Sequence, residues 1–280
     1  MNNAGAGKYN LIAGSGTDTL WGGSSDDIIT IAASGQGDAD TLDGYGGTDI
    51  LQLSAGTHTF TTNDNMIQNI EEVKVDTTSG STVDLTNQTE GFKITVGGQT
   101  DSITGSDGND IIIITSAGDG NNDTLIGGSG DDVINLSAGS HTFSDNAKLA
   151  TIETINANAS ATTLDLTGQL EGFTIAGGAQ GDNLTGGSGN DIITGGGGDD
   201  TLKGGAGNDT LNVDSGSDII TLLGGAGAGG EDDVLVVSNG ATATAANIIN
   251  FVATTGTTNA GTAILSVKSD NGCLLYTSDA

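Results

Sequence analysis

Between Gly186 and Asn212 the sequence reads GGSGNDIIT, GGGGDDTLK, GGAGNDTLN: three back-to-back copies of Gly-Gly-x-Gly-x-Asp-x-apolar-x. The apolar positions fix the register beyond these copies. Leu166, Ile175, Leu184, Ile193, Leu202, Leu211 and Ile220 follow one another at intervals of nine. A period of nine fits neither a 3.6-residue helix nor a plain alternating hairpin. It fits a coil in which a short strand and a tight turn recur, each strand stacking on an equivalent one.

Imperfect copies extend the pattern in both directions. GGAQGDNLT (Gly177–Thr185) precedes the clean run and VDSGSDIIT (Val213–Thr221) follows it. A second run holds GSDGNDIII (Gly105–Ile113), GDGNNDTLI (Gly118–Ile126) and GGSGDDVIN (Gly127–Asn135). A first run holds AGSGTDTLW (Ala13–Trp21), GGSSDDIIT (Gly22–Thr30), GQGDADTLD (Gly35–Asp43) and GYGGTDILQ (Gly44–Gln52). A longer repeat overlies the short one: LSAGTHTF (Leu53–Phe60) returns as LSAGSHTF (Leu136–Phe143), and DLTNQTEGFKI (Asp84–Ile94) as DLTGQLEGFTI (Asp165–Ile175). The chain therefore reads as block 1 (5–52), spacer 1 (53–95), block 2 (96–135), spacer 2 (136–176), block 3 (177–235) and a degenerate spacer (236–272). Residues 273–280, which hold the sole cysteine, break the pattern and read as a ragged, non-native tail. The spacers keep part of the nine-residue beat, are rich in Thr, Ile and Val, and suit β-strands. They are expected to be further rungs without metal loops, with a separate small β-domain per spacer as the competing arrangement. The expected fold is all-β, a parallel β-roll or β-solenoid of nonapeptide repeats with Thr-rich spacer rungs.

Composition narrows the function. The 280 residues carry six Lys and no Arg against 36 acidic residues, a net charge of −30. A nucleic-acid binder needs a positive surface, which scattered lysines cannot supply. A membrane-spanning helix needs ~18 or more apolar residues in a row, and the apolar runs here are short, such as IIII at Ile111–Ile114. One cysteine excludes an internal disulfide. The first residues, MNNAGAGK, contain no apolar core of a cleavable signal peptide.

Gly and Asp at this spacing make chemical sense as a cation loop. Reversal between stacked strands requires φ > 0, which Gly adopts without a Cβ penalty. Without side chains, the loop carbonyls can turn toward an ion, and Asp adds a carboxylate beside them. An all-oxygen, flexible cage is what calcium prefers.

The motif resembles the nonapeptide repeat of RTX proteins, the hemolysin-type calcium-binding family, over somewhat under half the chain. The resemblance implies a parallel β-roll with two nonapeptides per turn, Ca²⁺ as the bound ion, and Asp pairs sharing an ion two repeats apart. Carried onto this sequence, the pairs are Asp18 with Asp40, Asp27 with Asp49, Asp101 with Asp123 and Asp110 with Asp132. In the third block they are Asp182 with Asp200, Asp191 with Asp209 and Asp200 with Asp218. The phrases NIEEVKV (Asn69–Val75) and TIETINA (Thr151–Ala157) are similar to stretches of large bacterial surface-layer and adhesin-type RTX proteins.

Other constellations reduce to the repeat. His58 and His141, the only histidines, occupy the same spot of the duplicated spacer and read as structural. Neither His-Glu-x-x-His nor Gly-x-Ser-x-Gly occurs. Gly225-x-Gly227-x-x-Gly230 matches a dinucleotide fingerprint only formally, because no crossover helix follows. Asp119-x-Asn121-x-Asp123 begins like an EF-hand loop, but Thr124 stands where the turn Gly belongs. Trp21 and Tyr45 are too few for a sugar platform. The sequence is thus expected to be a calcium-binding structural or adhesive segment of a secreted bacterial protein, not an enzyme, meeting neighbouring repeats and cell-surface or matrix components. The alternative is the calcium-dependent secretion and folding module of an RTX enzyme or toxin whose catalytic domain is missing.

Overall fold

The computed structural model describes residues 7–35, 39–118, 121–157, 160–222, 233–248, 258–259 and 262–267. Among them every regular element is a β-strand, and every pairing of strands is parallel. The chain divides into two compact units, residues 1–135 with 147–152, and residues 136–146 with 153–280.

In the first unit one sheet takes its strands strictly in chain order: Asn10–Ala13, Ile28–Ile31, Ile50–Leu53, Glu72–Lys74, Lys93–Val96, Ile111–Ile114 and Val133–Asn135. The strands left out of it build two shorter sheets. One holds Thr19–Gly23, Thr41–Tyr45 and Ile67–Gln68; the other holds Gly56–Thr59, Ser81–Asp84, Ser102–Thr104, Thr124–Ile126 and Leu149–Ala150. In the second unit, Thr154–Asn156, Thr174–Ala176, Ile192–Thr194, Thr210–Val213, Val234–Val237 and Thr258–Asn259 form one sheet. Gly139–Thr142, Thr162–Asp165, Asn183–Thr185, Thr201–Lys203, Ser217–Leu222, Thr242–Ile248 and Thr262–Val267 form the other. Successive strands therefore alternate between sheets, and each unit is a parallel β-solenoid.

Register explains the nine-residue beat. Ile175 pairs with Ile193 and Ile193 with Leu211, so one turn holds two nonapeptides. Where four residues are inserted the turn lengthens, as from Ile29 to Leu51 and from Ile112 to Ile134, while strand register is kept. The extra residues leave through the turns because a shifted strand would bring its apolar side chains to the solvent face.

The core is the column of central strand residues. Ile29, Leu51, Val73, Ile94, Ile112 and Ile134 stack in the first unit, and Ile155, Ile175, Ile193 and Leu211 in the second, all fully buried. On the facing sheets Val83, Ile103 and Leu125, and Leu164, Leu184, Leu202 and Ile220, do the same. Each such side chain is worth about 1.5–3 kcal/mol against exposure. The spacers enter these columns directly: Val73 sits between Leu51 and Ile94, and Val83 between His58 and Ile103. The spacer strands are rungs of the same sheets as the block strands within each unit. His58 and His141 take apolar-column positions and are fully buried, each Nε2 bonded to a carbonyl oxygen four residues back, of Ser54 (2.9 Å) and Ser137 (3.0 Å).

Gln88 and Gln169, also fully buried, hold the longer spacer turns. Gln88 Nε2 donates to the carbonyls of Phe60 (2.6 Å) and Asn63 (2.9 Å), and Gln169 Nε2 to those of Phe143 (2.7 Å) and Asp145 (3.0 Å). The Gly225–Gly230 fingerprint, Asp119 and the 273–280 tail lie outside the described residues.

Candidate metal centre

A single nonapeptide loop shows how the site is assembled. In the loop from Gly186, the Asp191 carboxylate accepts the Gly187 N–H through Oδ2 (2.8 Å), which pins the loop on itself. Its Oδ1 accepts the N–H of Phe173, one turn earlier (2.8 Å). The N–H of Asp191 in turn donates to Oδ1 of Asp209, one turn later (2.9 Å). The side chain therefore ties its own loop and bridges two turns. The glycines make room for this: Gly205 has φ 121°, and a Cβ there would collide with the Gly187 carbonyl oxygen of the turn below.

The same link recurs at every pair carried over from the resemblance. The amides of Asp18 and Asp27 donate to Oδ1 of Asp40 and Asp49, each at 2.6 Å. Those of Asp101 and Asp110 donate to Asp123 (2.8 Å) and Asp132 (2.7 Å). Those of Asp182 and Asp200 donate to Asp200 (2.8 Å) and Asp218 (2.9 Å). All seven pairs are thus brought together, in columns along the turns of each unit. Twelve of the thirteen residues are buried, with 4% exposure or less; Asp18 is half-buried.

Burial is electrostatically costly for these groups. Desolvation pushes the Asp191 carboxyl up to about 6, against the bonds from Phe173 and Gly187 that favour its charge. Asp49 and Asp218 are also pushed up to about 6, by burial first and then by neighbouring carboxylates, Glu71 and Asp27 at Asp49 and Asp200 at Asp218. Burial raises Asp110 and Asp200 as well. The ion pairs of Lys8 with Asp26, and of Lys74 and Lys93 with Glu72, engage carboxylates outside the columns.

Two observations bear on whether a hard cation fits. Oδ2 of Asp49, Asp200 and Asp218 is buried with no hydrogen-bond donor. Beside the column carboxylates, the first glycine of the loop leaves a space bounded by oxygen. A Cβ on Gly22 would strike Asp27 Oδ2 and the Gly44 carbonyl; on Gly105, Asp110 Oδ2 and the Gly127 carbonyl; on Gly186, Asp191 Oδ2 and the Gly204 carbonyl. Carboxylate and carbonyl oxygens from successive turns therefore converge on one spot. Among the described residues no three His, Cys, Asp or Glu side chains cluster to hold a metal. A bound ion would draw on paired carboxylates together with backbone carbonyls, the mixed oxygen set that suits calcium.

The pattern missed two contributors. Position five of the nonapeptide, written as any residue, carries a second ladder of opposite sense. Side-chain oxygens of Asp26, Asn109, Asn190 and Asp199 accept the amides of Thr48 (3.1 Å), Asp131 (3.0 Å), Asn208 (2.8 Å) and Ser217 (2.8 Å) one turn later. The signal was present, since position five is Asn or Asp in each of these loops. The other is Asp233, which extends the column by accepting the Asp209 amide (2.9 Å). Asp233 lies beyond a longer insertion and is marked only by Asp233-Val234-Leu235, the Asp-x-apolar end of the motif.

A family model described as the RTX calcium-binding nonapeptide repeat (4 copies) matches residues 10–30, 33–57, 93–113, 115–140, 174–202, 185–220 and 194–228, together just over half of the chain. No curated protein matches the sequence. With parallel turns of two nonapeptides, aspartates aligned from turn to turn and the family pattern recurring in all three blocks, the chain belongs to the RTX calcium-binding nonapeptide repeat family.

Proposed function

We propose that the chain is a calcium-binding structural or adhesive repeat segment of a secreted bacterial protein, which folds when Ca²⁺ meets it outside the cell. The observation that carries this reading is the column of buried aspartates linked from turn to turn, in a chain with six Lys against 36 acidic residues. Two carboxylates about 4 Å apart repel by ~4 kcal/mol at an effective dielectric of 20. Several such contacts weigh heavily against a domain stability of ~5–15 kcal/mol. Bound calcium reverses the sign of each. At ~10⁻⁴ M affinity and ~10 mM calcium, each filled site adds ~2.7 kcal/mol, whereas cytosolic calcium adds almost nothing.

The ligands in this reading are Asp18, Asp27, Asp40, Asp49, Asp101, Asp110, Asp123, Asp132, Asp182, Asp191, Asp200, Asp209 and Asp218, with loop carbonyls beside them. The calcium-binding blocks are 5–52, 96–135 and 177–235, and the spacers set the distance between them. The recurrence of block and spacer at ~82 residues favours a structural role over a module attached to an enzyme. Far-UV circular dichroism through a calcium titration of the purified chain tests the proposal. β-structure should grow to a plateau as calcium rises; a spectrum that stays flat overturns it.

A further inference from the structure

The nonapeptide pattern of the first block ends at Gln52, yet the next turn repeats the chemistry of its loops. Asp27 donates its amide to Asp49, and Asp49 donates its own to Oε2 of Glu71 at 2.7 Å. Glu71 therefore occupies the place in the column that aspartate holds below it. The loop leading to it is shorter. Five positions separate Gly44 from Asp49, but only two separate Asn69 from Glu71. The extra methylene of glutamate spans what the truncated loop does not.

Asn69 takes the part of the missing glycine. It is one of three non-glycine residues with positive φ among the described residues, at 49°, and its side-chain Nδ2 donates to Asp43 Oδ1 at 2.8 Å. A non-glycine residue in this region is held there by its surroundings at a cost. What the conformation achieves is the aim of one carbonyl. A Cβ on Gly44 would strike the Asn69 carbonyl oxygen and Asp49 Oδ2, just as a Cβ on Gly22 would strike the Gly44 carbonyl and Asp27 Oδ2. Asp49 is 1% exposed, and its Oδ2 has no hydrogen-bond donor. The device recurs: Thr151, 82 residues on, has φ 51°, and its carbonyl oxygen and Asp132 Oδ2 bound the corresponding space at Gly127.

We propose that Asp49, Glu71 and the Asn69 carbonyl form a further divalent-cation site, of the calcium class, that closes the first block with ligands supplied by the spacer. The inference rests on the calcium reading above and adds a site that the nonapeptide motif does not encode. It makes the first turn of the spacer part of the metal-binding body.

Native mass spectrometry of the full chain in calcium counts the ions directly. Glu71→Gln should saturate with one ion fewer than the wild type. Glu72→Gln, which alters the neighbouring carboxylate paired with Lys74 and Lys93, should keep the wild-type number. A full count in Glu71→Gln overturns this inference alone, whereas a wild type that carries no calcium overturns the reading beneath it as well. If Glu71→Gln gives no β-signal in calcium, Glu71→Asp replaces it, since it keeps the charge on a shorter arm. One ion should then leave at lower chelator concentration than in the wild type, and an unchanged release profile overturns the site.

Discussion

An aspartate in this chain answers to two turns at once, and its energetics follow from that. Asp191 and Asp209 are joined by one amide–carboxylate bond and, in the proposed function, share one ion. Asp191→Ala and Asp209→Ala should each weaken the same site, so the double change should cost less than the sum of the singles in calcium-dependent stability. Fully additive losses would argue against the pairing. Protons offer an independent probe. Asp49, Asp191 and Asp218 sit at about 6 when folded, against 3.8 for the free group. A raised folded value means that the folded state holds the proton more tightly. The associated stability is complete below about 3.8 and is lost as pH rises through about 6. In calcium-free solution the β-signal in far-UV circular dichroism should therefore grow as pH falls from 7 toward 4.5. A calcium-free spectrum that does not change over this range would show that the column carboxylates carry no such burden.

At the scale of the strand and turn, the nine-residue spacing made the core legible before any coordinates. Leu184, Ile193, Leu202 and Leu211 were marked by spacing alone and stack as expected. Strand register resumes after each insertion, so the added residues leave the columns unchanged. What spacing did not reveal were contacts made by side chains that interrupt the pattern. Gln88 and Gln169 are polar residues at fully buried positions, and a polar letter in a Thr-rich spacer reads as surface. Their role depends on turn carbonyls more than twenty residues away, which no local pattern encodes. Gln169→Ala should leave the carbonyls of Phe143 and Asp145 without this donor and cost about 1–3 kcal/mol. Thermal unfolding in saturating calcium reads the loss, and a change near zero would mean that water serves the turn equally well. The site divides in the same way. Aspartates at position six were legible because the motif names them. Position five and Asp233 were not, since one was written as any residue and the other follows an irregular turn.

Across each unit, the ladder has a direction and an end. In the first unit the column runs from the Tyr9 amide through Asp27 and Asp49 to Glu71, and starts again from the Phe92 amide through Asp110 to Asp132. Seven divalent ions would offset about half of the net charge of −30, so the folded chain would remain acidic. The interruption at Phe92 bears on how such a chain tolerates its own charge. Parallel strands lie ~4.8 Å apart, so the step from Glu71 over Phe92 to Asp110 covers ~10 Å. Coulomb repulsion falls with distance, so two like charges ~10 Å apart repel about half as strongly as two at ~4.8 Å. The aromatic rung thus works as a spacer between two batteries of like charge, and in the proposed function each stack would take up its ions against less opposition from the next.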